Sequence, residues 1–310
     1  MRIRLTCIAA AVASLANSGE SAAQQQGLDT IVVTAERIQA DLEAERAVTP
    51  GAVTNLDGAK FYERRVSQLS DMLRYVPGVY AESYNGNDDV FYSSRGSNLD
   101  ATDYDKNGVK FLQDGLPVTA ADGNNHNRAL DPLGARYATV AHGANALAYG
   151  ASTLGGAVDF TTPTAHSTMP SVATSAGSFG EWNLRATMGA VFSDELDGLI
   201  TAEVQQRDGY REHSAHDRKG LYANLGWSVS ENVSTRFYAT HIDYDSQLPR
   251  ELTPAQYAQD PNQARADAIL GNHNKQVAAS RLAFKTTFAE VADGTLELGV
   301  SYENQELYHP

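Results

Sequence analysis

The chain has 310 residues, and its 38 acidic residues outnumber its 24 lysines and arginines, which gives a formal net charge of −14 at pH 7. This balance argues against nucleic acid as a partner, because phosphate binding depends on clusters of Lys and Arg. The single cysteine is Cys7, at the extreme N-terminus, so the rest of the chain holds no disulfide and no thiolate metal site.

The first 23 residues have the pattern of a secretory signal peptide. Residues 1–4 form a short basic head, residues 5–16 are apolar, and Ser21-Ala22-Ala23 offers a small-residue cleavage site. The apolar run is shorter than the roughly 20 residues that a membrane-spanning helix needs. We therefore expect residues 1–23 to be removed during export.

A β-prone segment follows almost at once. It reads Asp29, Thr30, Ile31, Val32, Val33, Thr34, Ala35. Its Gln-rich and charged flanks would not pack, so the segment could add as a strand to the sheet edge of another protein, where main-chain hydrogen bonds supply the affinity. The alternative is an ordinary edge strand of the mature domain.

Short elements are predicted next. Apolar residues recur at helical spacing from Leu69 to Val76, and Pro77-Gly78 ends this helix. A hairpin is predicted at Asp114-Gly115, since Asp-Gly between alternating hydrophobic runs is a strong turn signal.

Glycines punctuate residues 131–163. Tyr149-Gly150 and Gly155-Gly156 interrupt runs of small and β-branched residues. This pattern predicts tight turns and close backbone approach between short strands, and it argues against a long helix.

In this order, the motifs resemble those of TonB-dependent outer-membrane receptors, closely over residues 29–165. The resemblance predicts an α+β plug domain of short mixed strands and helices in residues 46–165, preceded by a TonB box and linker in residues 24–45. It also implies that the segment 29–35 binds TonB. The residues that match the family's plug and gating motifs are Arg95, Gly96, Asp114, Gly115, Tyr149, Gly150, Gly155 and Gly156.

Residues 166–310 alternate apolar with polar side chains, a period of two that is typical of antiparallel transmembrane β-barrel strands. Strands are predicted near 170–178, 182–192, 199–208, 219–230, 232–246, 276–290 and 294–308. Short turns alternate with longer, charged connections at 209–218 and 247–275, as in outer-membrane barrels, whose longer loops face outside. About seven strands are too few to enclose a plug, so we expect the N-terminal portion of an incomplete barrel, from a fragment of a longer receptor or from a truncated gene.

The resemblance implies active uptake of a ferric siderophore or a similar metal chelate. TonB and its inner-membrane energising complex would be partners, together with outer-membrane lipid and lipopolysaccharide, in a multi-pass barrel of the Gram-negative outer membrane. No cofactor and no enzymatic activity are expected, because no nucleophile–base pair stands out. The alternatives are a receptor for cobalamin, haem or oligosaccharide, a surface protein-binding receptor without transport, and a soluble secreted β protein.

Two polar plug segments and the outer loops are the expected ligand contacts. The candidates are Tyr84, Asn85, Asn124, Asn125, His126, Arg128 and Arg250. An anionic chelate also needs a local basic patch against the acidic background, and Arg207, Arg211, Arg218 and Lys219 could contribute to it. These cations could instead pair with neighbouring carboxylates or with lipopolysaccharide phosphates.

Two expectations concern single side chains. Arg95 is expected to be a buried or semi-buried partner of a lumen-facing barrel carboxylate, with Glu203, Glu297 and Glu303 as candidates. His213 and His216 are expected to be solvated loop histidines and not metal ligands.

Overall fold

A computed structural model describes residues 52–309, apart from 59, 62–68, 84–89, 98–107, 119–129, 152 and 293. The predicted signal peptide and TonB box lie outside the described residues. Residues Thr49–Pro310 form one compact unit. Within the described part of the chain, no helix is both long enough and apolar enough to cross a membrane.

The described residues of the first half of this unit include seven strands and an α-helix. The strands are β1 (Val53–Asp57), β2 (Val79–Ser83), β3 (Val90–Ser94), β4 (Val109–Gln113), β5 (Leu116–Pro117), β6 (Tyr137–His142) and β7 (Gly156–Thr161), and the helix is α1 (Leu69–Leu73). Five strands form the N-terminal sheet in the order β1-β6-β7-β4-β5, while β2 and β3 form a separate hairpin. Strands β4 and β7 are parallel, and the other pairs are antiparallel. Their core is aromatic and aliphatic, built around Leu69, Tyr92, Phe111 and Phe160.

Backbone geometry explains the turn residues of this sheet. Asp114 and Gly115 both have positive φ, 54° and 78°, and they close the predicted hairpin between β4 and β5. Gly156 has a φ of 140°, and a side chain there would collide with the carbonyl oxygen of Ala141 in the neighbouring strand. A short 3-10 helix, Gly143–Tyr149, joins β6 to this region. The predicted tight turns and close backbone approach are therefore confirmed.

The second half forms one antiparallel sheet of seven strands. They are β8 (Ser171–Ala176), β9 (Trp182–Val191), β10 (Leu196–Arg207), β11 (His216–Ser230), β12 (Val233–Gln247), β13 (Asn274–Val291) and β14 (Gly294–Tyr308). Each strand pairs with the next one along the chain, and β8 and β14 are the two edges of the open sheet. The strands predicted from periodicity are confirmed, although β10 and β11 each begin three residues earlier than predicted.

The connections alternate in length as predicted. Two short helices, α2 (Pro254–Gln259) and α3 (Ala266–Leu270), lie in the long connection between β12 and β13. The side chain of Thr253 and the side chain of Gln256 cap α2 reciprocally, which fixes the start of this helix. We call the end of the sheet that carries this connection the long-loop end.

The two faces of the seven-stranded sheet differ in polarity. The outer face exposes large apolar side chains, among them Leu225, Trp227, Phe237, Leu282 and Phe284. The inner face buries polar and charged side chains, among them Arg185, Glu203, Arg218, Thr240 and Arg281. Side chains of the N-terminal sheet contact this inner face, so the contact between the two sheets is unusually rich in charge.

Candidate functional site: two junctions between the plug and the sheet

One junction is built around Asp131, which precedes a 3-10 turn at Pro132–Gly134. Its carboxylate accepts the N–H of Gly134 over 3.0 Å and so caps this turn. The guanidinium of Arg185, on β9, binds both carboxylate oxygens of Asp131, with 3.1 Å from Nη1 to Oδ1. The same Nη1 donates to Oε2 of Glu203 over 2.8 Å, and Glu203 lies directly opposite Arg185 in the β9–β10 register.

Arg218 completes this Asp131 junction from the next strand, β11. Its Nη1 lies 3.5 Å from Oε1 of Glu203, and its Nη2 donates to the carbonyl of Leu130 over 3.4 Å. The four charged side chains are at most 9% exposed. Two cations therefore meet two carboxylates in a buried setting, where removing one partner leaves an uncompensated charge and costs about 3–5 kcal/mol.

The other junction is formed by the β4–β5 turn and strand β13. Asp114 accepts hydrogen bonds from the backbone N–H of Thr162 over 3.0 Å and from the Thr162 hydroxyl. Asp159, on β7, accepts the N–H of Gly115 over 3.0 Å. From β13, Lys285 Nζ donates to the backbone carbonyl of Asp114 over 3.1 Å.

A third contact of this Asp114 junction joins two long side chains. Arg281 Nη1, on β13, donates to Oε1 of Gln113 over 2.9 Å. Below the turn, Leu116 packs with Tyr238 and Ala283, and a side chain at Gly299 would collide with it. Hydrogen bonds and the apolar packing of Leu116 therefore both hold the turn in place.

Burial raises the pKa of both carboxyl groups of the Asp114 junction. For Asp159 the pKa rises to about 6; the hydrogen bond from Gly115 and the charge of Lys285 oppose this rise, while the charges of Asp114 and Glu297 add to it. For Asp114 the rise is opposed by the two hydrogen bonds from Thr162 and by the charges of Lys285 and Arg281. Partial desolvation disfavours the ionised carboxylate, and the nearby cations do not fully compensate.

The segment after β7 is also held to the inner face. Asn224 Nδ2 donates to the carbonyl of Pro163 over 3.0 Å, and Arg236 Nη1 donates to Oδ1 of Asn224 over 2.6 Å. Arg236 also binds Asp197 through both carboxylate oxygens, at 3.0 and 2.6 Å. These contacts fix the chain where it passes from the N-terminal sheet to β8.

The residues predicted from motifs take different positions. Asp114 and Gly115 lie in the second junction, and the carbonyl of Tyr149 accepts a hydrogen bond from Lys110 Nζ over 2.7 Å. Gly150, Gly155 and Gly156 shape turns inside the N-terminal domain, as does Gly96, whose φ is 82°. The TonB-box residues and six of the ligand candidates (Tyr84, Asn85, Asn124, Asn125, His126 and Arg128) lie outside the described residues.

The predicted partnership of Arg95 is wrong in this structure. Arg95 is exposed, has a φ of 51°, and its side chain lies beside Gly78 and Gly143. Glu203 is lumen-facing as predicted, but it pairs with Arg185 and Arg218.

The two other candidate partners of Arg95 lie on β14. Glu297 pairs with Lys285 at 3.0 Å, and Glu303 lies opposite Arg281 in the β13–β14 register. Both carboxylates therefore face cations of β13.

The described members of the predicted basic patch take different positions. Arg218 is buried on the inner face, whereas its neighbour Lys219 is exposed on the outer face. Arg211 donates to the carbonyls of Pro249 and Gln263, and so joins two long loops. Arg250 is half-buried in the longer of these loops, with a φ of 61°.

The two histidines also differ from expectation. His213 Nε2 lies 2.8 Å from the carbonyl of His273, and His216 is 3% exposed, with Nδ1 2.6 Å from the Ser246 hydroxyl. His216 is the first residue of β11, so it belongs to the inner face and not to a solvated loop. Across the described residues, no three His, Cys, Asp or Glu side chains are grouped to hold a metal ion.

Sequence reasoning missed Asp131, Asp159 and Arg185. For Arg185 a signal was present, because a charge on the face of a strand opposite the apolar residues must point inward. The pairing could not be found, since it depends on the β9–β10 register and on where the Asp131 turn meets the sheet.

Residues 45–157 match the family model described as the TonB-dependent receptor plug domain. This part of the chain is the plug of a TonB-dependent receptor. With the antiparallel strands that follow it, the match confirms the predicted fold class and the predicted outer-membrane location.

Solved structures of outer-membrane transporters share the fold at low sequence identity. The unliganded ferric citrate transporter FecA superposes with a TM-score of 0.68 at 18% identity, covering 84% of this chain and 40% of that one. The ferric yersiniabactin uptake receptor FyuA from Yersinia pestis gives 0.66 at 14% identity, with 83% and 41% covered. The copper transporter OprC gives 0.61 at 16% identity, with 81% and 36% covered. The chain thus spans about two fifths of the length of these proteins.

Proposed function

We propose that this chain takes part in the TonB-dependent uptake of a ferric siderophore or a similar anionic metal chelate across the outer membrane. The observation that carries this proposal is the plug itself, held against the polar inner face of the sheet by two junctions of charged side chains. A domain held in this way can close a lumen and still be displaced, because many of its contacts are hydrogen bonds and ion pairs that water can replace. TonB, energised by its inner-membrane complex, would supply the displacement through residues 29–35.

The distribution of charge supports an anionic ligand. At the long-loop end, the inner face carries His216, Arg218 and Lys275, whereas Asp217 and Asp245 are exposed on the opposite face. Arg218 and Lys275 are thus directed inward and Asp217 and Asp245 outward at this end, while Lys219 lies on the outer face, in a chain whose net charge is −14. A local positive field of this kind favours entry of anions against the overall negative background.

The test of TonB dependence uses proline in the predicted TonB box. Ile31→Pro and Val33→Pro each bend the segment, and each removes a main-chain donor that strand addition needs. We expect uptake of radioactive ferric chelate to be lost, while binding of the same chelate at the cell surface persists. Gln26→Pro, outside the segment, is the matched control and should transport normally. Undiminished uptake in both box variants would rule out the assignment.

The ligand class is tested separately. A strain that carries the receptor is grown on one iron source at a time (ferric citrate, ferric hydroxamate, haem) and, in parallel, on cobalamin as the limiting nutrient. The proposal predicts receptor-dependent growth on an anionic ferric chelate. Receptor-dependent growth on cobalamin or haem alone would contradict the ligand class and leave the transporter class standing.

A further inference from the structure

Among the described residues, the charged groups that act on Asp159 include more carboxylates than cations. Asp114 and Asp159 on the plug face Arg281 and Lys285 of β13, Glu297 and Glu303 of β14, and Tyr238 of β12. Of the described residues, two carboxylates, Asp114 and Glu297, raise the pKa of Asp159, and one cation, Lys285, lowers it. At the Asp131 junction, two described cations meet two described carboxylates. Like charges held close together in a partly desolvated site repel one another, and a bound proton relieves that repulsion.

The turn at this junction lies at the edge of the N-terminal sheet. Strand β5 has two residues, pairs only with β4 and forms the edge of the N-terminal sheet. The turn residues Asp114 and Gly115 both have positive φ. The turn is held in place by the hydrogen bond from the Asp114 N–H to the Phe160 carbonyl of β7 and by its contacts with Asp159, Thr162 and β13.

We propose that the Asp114 junction is a proton-sensitive latch, which closes the plug against β13 when it holds a proton and loosens when the proton leaves, while the Asp131 junction keeps its hold in both conditions. This inference concerns regulation of the plug and rests on the proposed function only for its role in uptake.

The direction follows from proton linkage. In the closed junction the pKa of Asp159 is about 6, above its ordinary value of 3.8. The closed form therefore binds the proton more tightly than an open form in which Asp159 is solvated. Acid favours closure, and closure weakens as pH rises through about 6. A shift of about two units changes the opening equilibrium by at most about a hundredfold.

The test measures how often the turn opens. The only native cysteine, Cys7, lies in the predicted signal peptide, so Leu116→Cys would give one thiol in the mature receptor. Leu116 is 9% exposed and packs on Tyr238 and Ala283, so labelling by maleimide requires opening. Ser193→Cys, in an exposed turn between β9 and β10, reports the pH dependence of thiol reactivity alone. Val118→Cys, 2% exposed, is a second buried probe in case Leu116→Cys perturbs the turn.

The purified receptor in detergent is labelled between pH 5 and pH 7.5. We expect the rate at position 116, divided by the rate at 193, to rise at least tenfold over this range. Asp159→Asn keeps an acceptor for Gly115 and removes the charge, so the ratio should stay low at every pH. Asp194→Asn, in an exposed turn, is the matched control and should leave the rise intact.

Two outcomes would overturn the latch. One is a ratio that is independent of pH at both buried probes, and the other is an unchanged rise in Asp159→Asn. Neither outcome depends on TonB or on any ligand, so failure here is distinguishable from failure of the proposed function.

Discussion

The two junctions of the plug use the same local bond in different electrostatic settings. Gly134 donates its N–H to Oδ1 of Asp131, and Gly115 donates to Oδ1 of Asp159, each over 3.0 Å. The guanidinium of Arg185 binds Asp131 and also pairs with Glu203. Glu203 pairs in turn with Arg218. Asp159 instead lies beside a second carboxylate, Asp114. We therefore expect charge balance around the carboxylate, more than its hydrogen bond, to decide how firmly each contact holds.

The largest effect is expected from removing the central cation of the balanced junction. Arg185→Met keeps much of the side-chain volume and leaves Asp131 and Glu203 buried without their shared partner. We expect the free energy of plug unfolding to fall by about 3–5 kcal/mol. Denaturant unfolding of the purified receptor in detergent measures this change.

The matched control for this variant is Arg265→Met. Arg265 lies in the long loop, is 37% exposed and pairs with Asp267 and Glu251. Exposed pairs contribute about 0–1 kcal/mol, so this variant should unfold almost as the native receptor does. Equal decreases in the free energy of unfolding for Arg185→Met and Arg265→Met would contradict the expected difference between a buried junction and a surface pair.

A smaller effect of opposite sign is expected from Asp159→Asn. Because the pKa of Asp159 is raised to about 6, the proton bound to Asp159 contributes to the free energy of unfolding. This contribution is fully present below about pH 4 and is lost as pH rises through 6. The asparagine variant lacks this loss, so it should be more stable than the native receptor at pH 7.5, by at most about 3 kcal/mol. Unfolding free energies measured from pH 4 to 7.5 test this.

The difference between the two proteins should shrink towards zero at pH 4. A variant that is less stable than the native receptor at pH 7.5 would show that the carboxylate charge of Asp159 stabilises the junction. The excess of carboxylates would then not be the source of strain.

The smallest effect is expected from Lys285→Met. Lys285 is 21% exposed, and its ion-pair partner Glu297 is 52% exposed, so solvent screens their attraction. We expect a loss of about 1 kcal/mol at pH 7.5, from the ion pair and from the hydrogen bond to the carbonyl of Asp114. In the Asp159→Asn background the loss should be smaller, because one of the charges that Lys285 offsets is gone. A double-mutant cycle measures this coupling.

The sequence predicted most of the architecture and little of the junctions. Alternation from Leu221 to Val229 correctly assigned the two faces of β11, because a strand with one apolar and one polar face has only one stable orientation here. The Asp114-Gly115 turn was also predictable, since few residue pairs accept two positive φ values.

The junctions depend on contacts between residues far apart in sequence. Arg281 reaches Gln113 across 168 positions, and no local pattern indicates this distance. The predicted pairing of Arg95 with a barrel carboxylate was wrong for a related reason. The motif placed the end of a strand at Arg95-Gly96, close to the observed end of β3 at Ser94, but it did not indicate that the arginine side chain would lie beside Gly78 and Gly143, which are elsewhere in the chain.

The most direct test of the difference between the junctions is hydrogen exchange at two amides, Gly115 and Gly134, in the receptor in detergent. After correction for intrinsic exchange, we expect protection of Gly115 to fall by at least tenfold between pH 5 and pH 7.5, because opening of the Asp114 junction becomes easier as Asp159 ionises. Protection of Gly134 should stay constant over the same range, because Arg185 already balances the charge of Asp131. Equal pH dependence at the two amides, or a fall at Gly134 alone, would contradict this account.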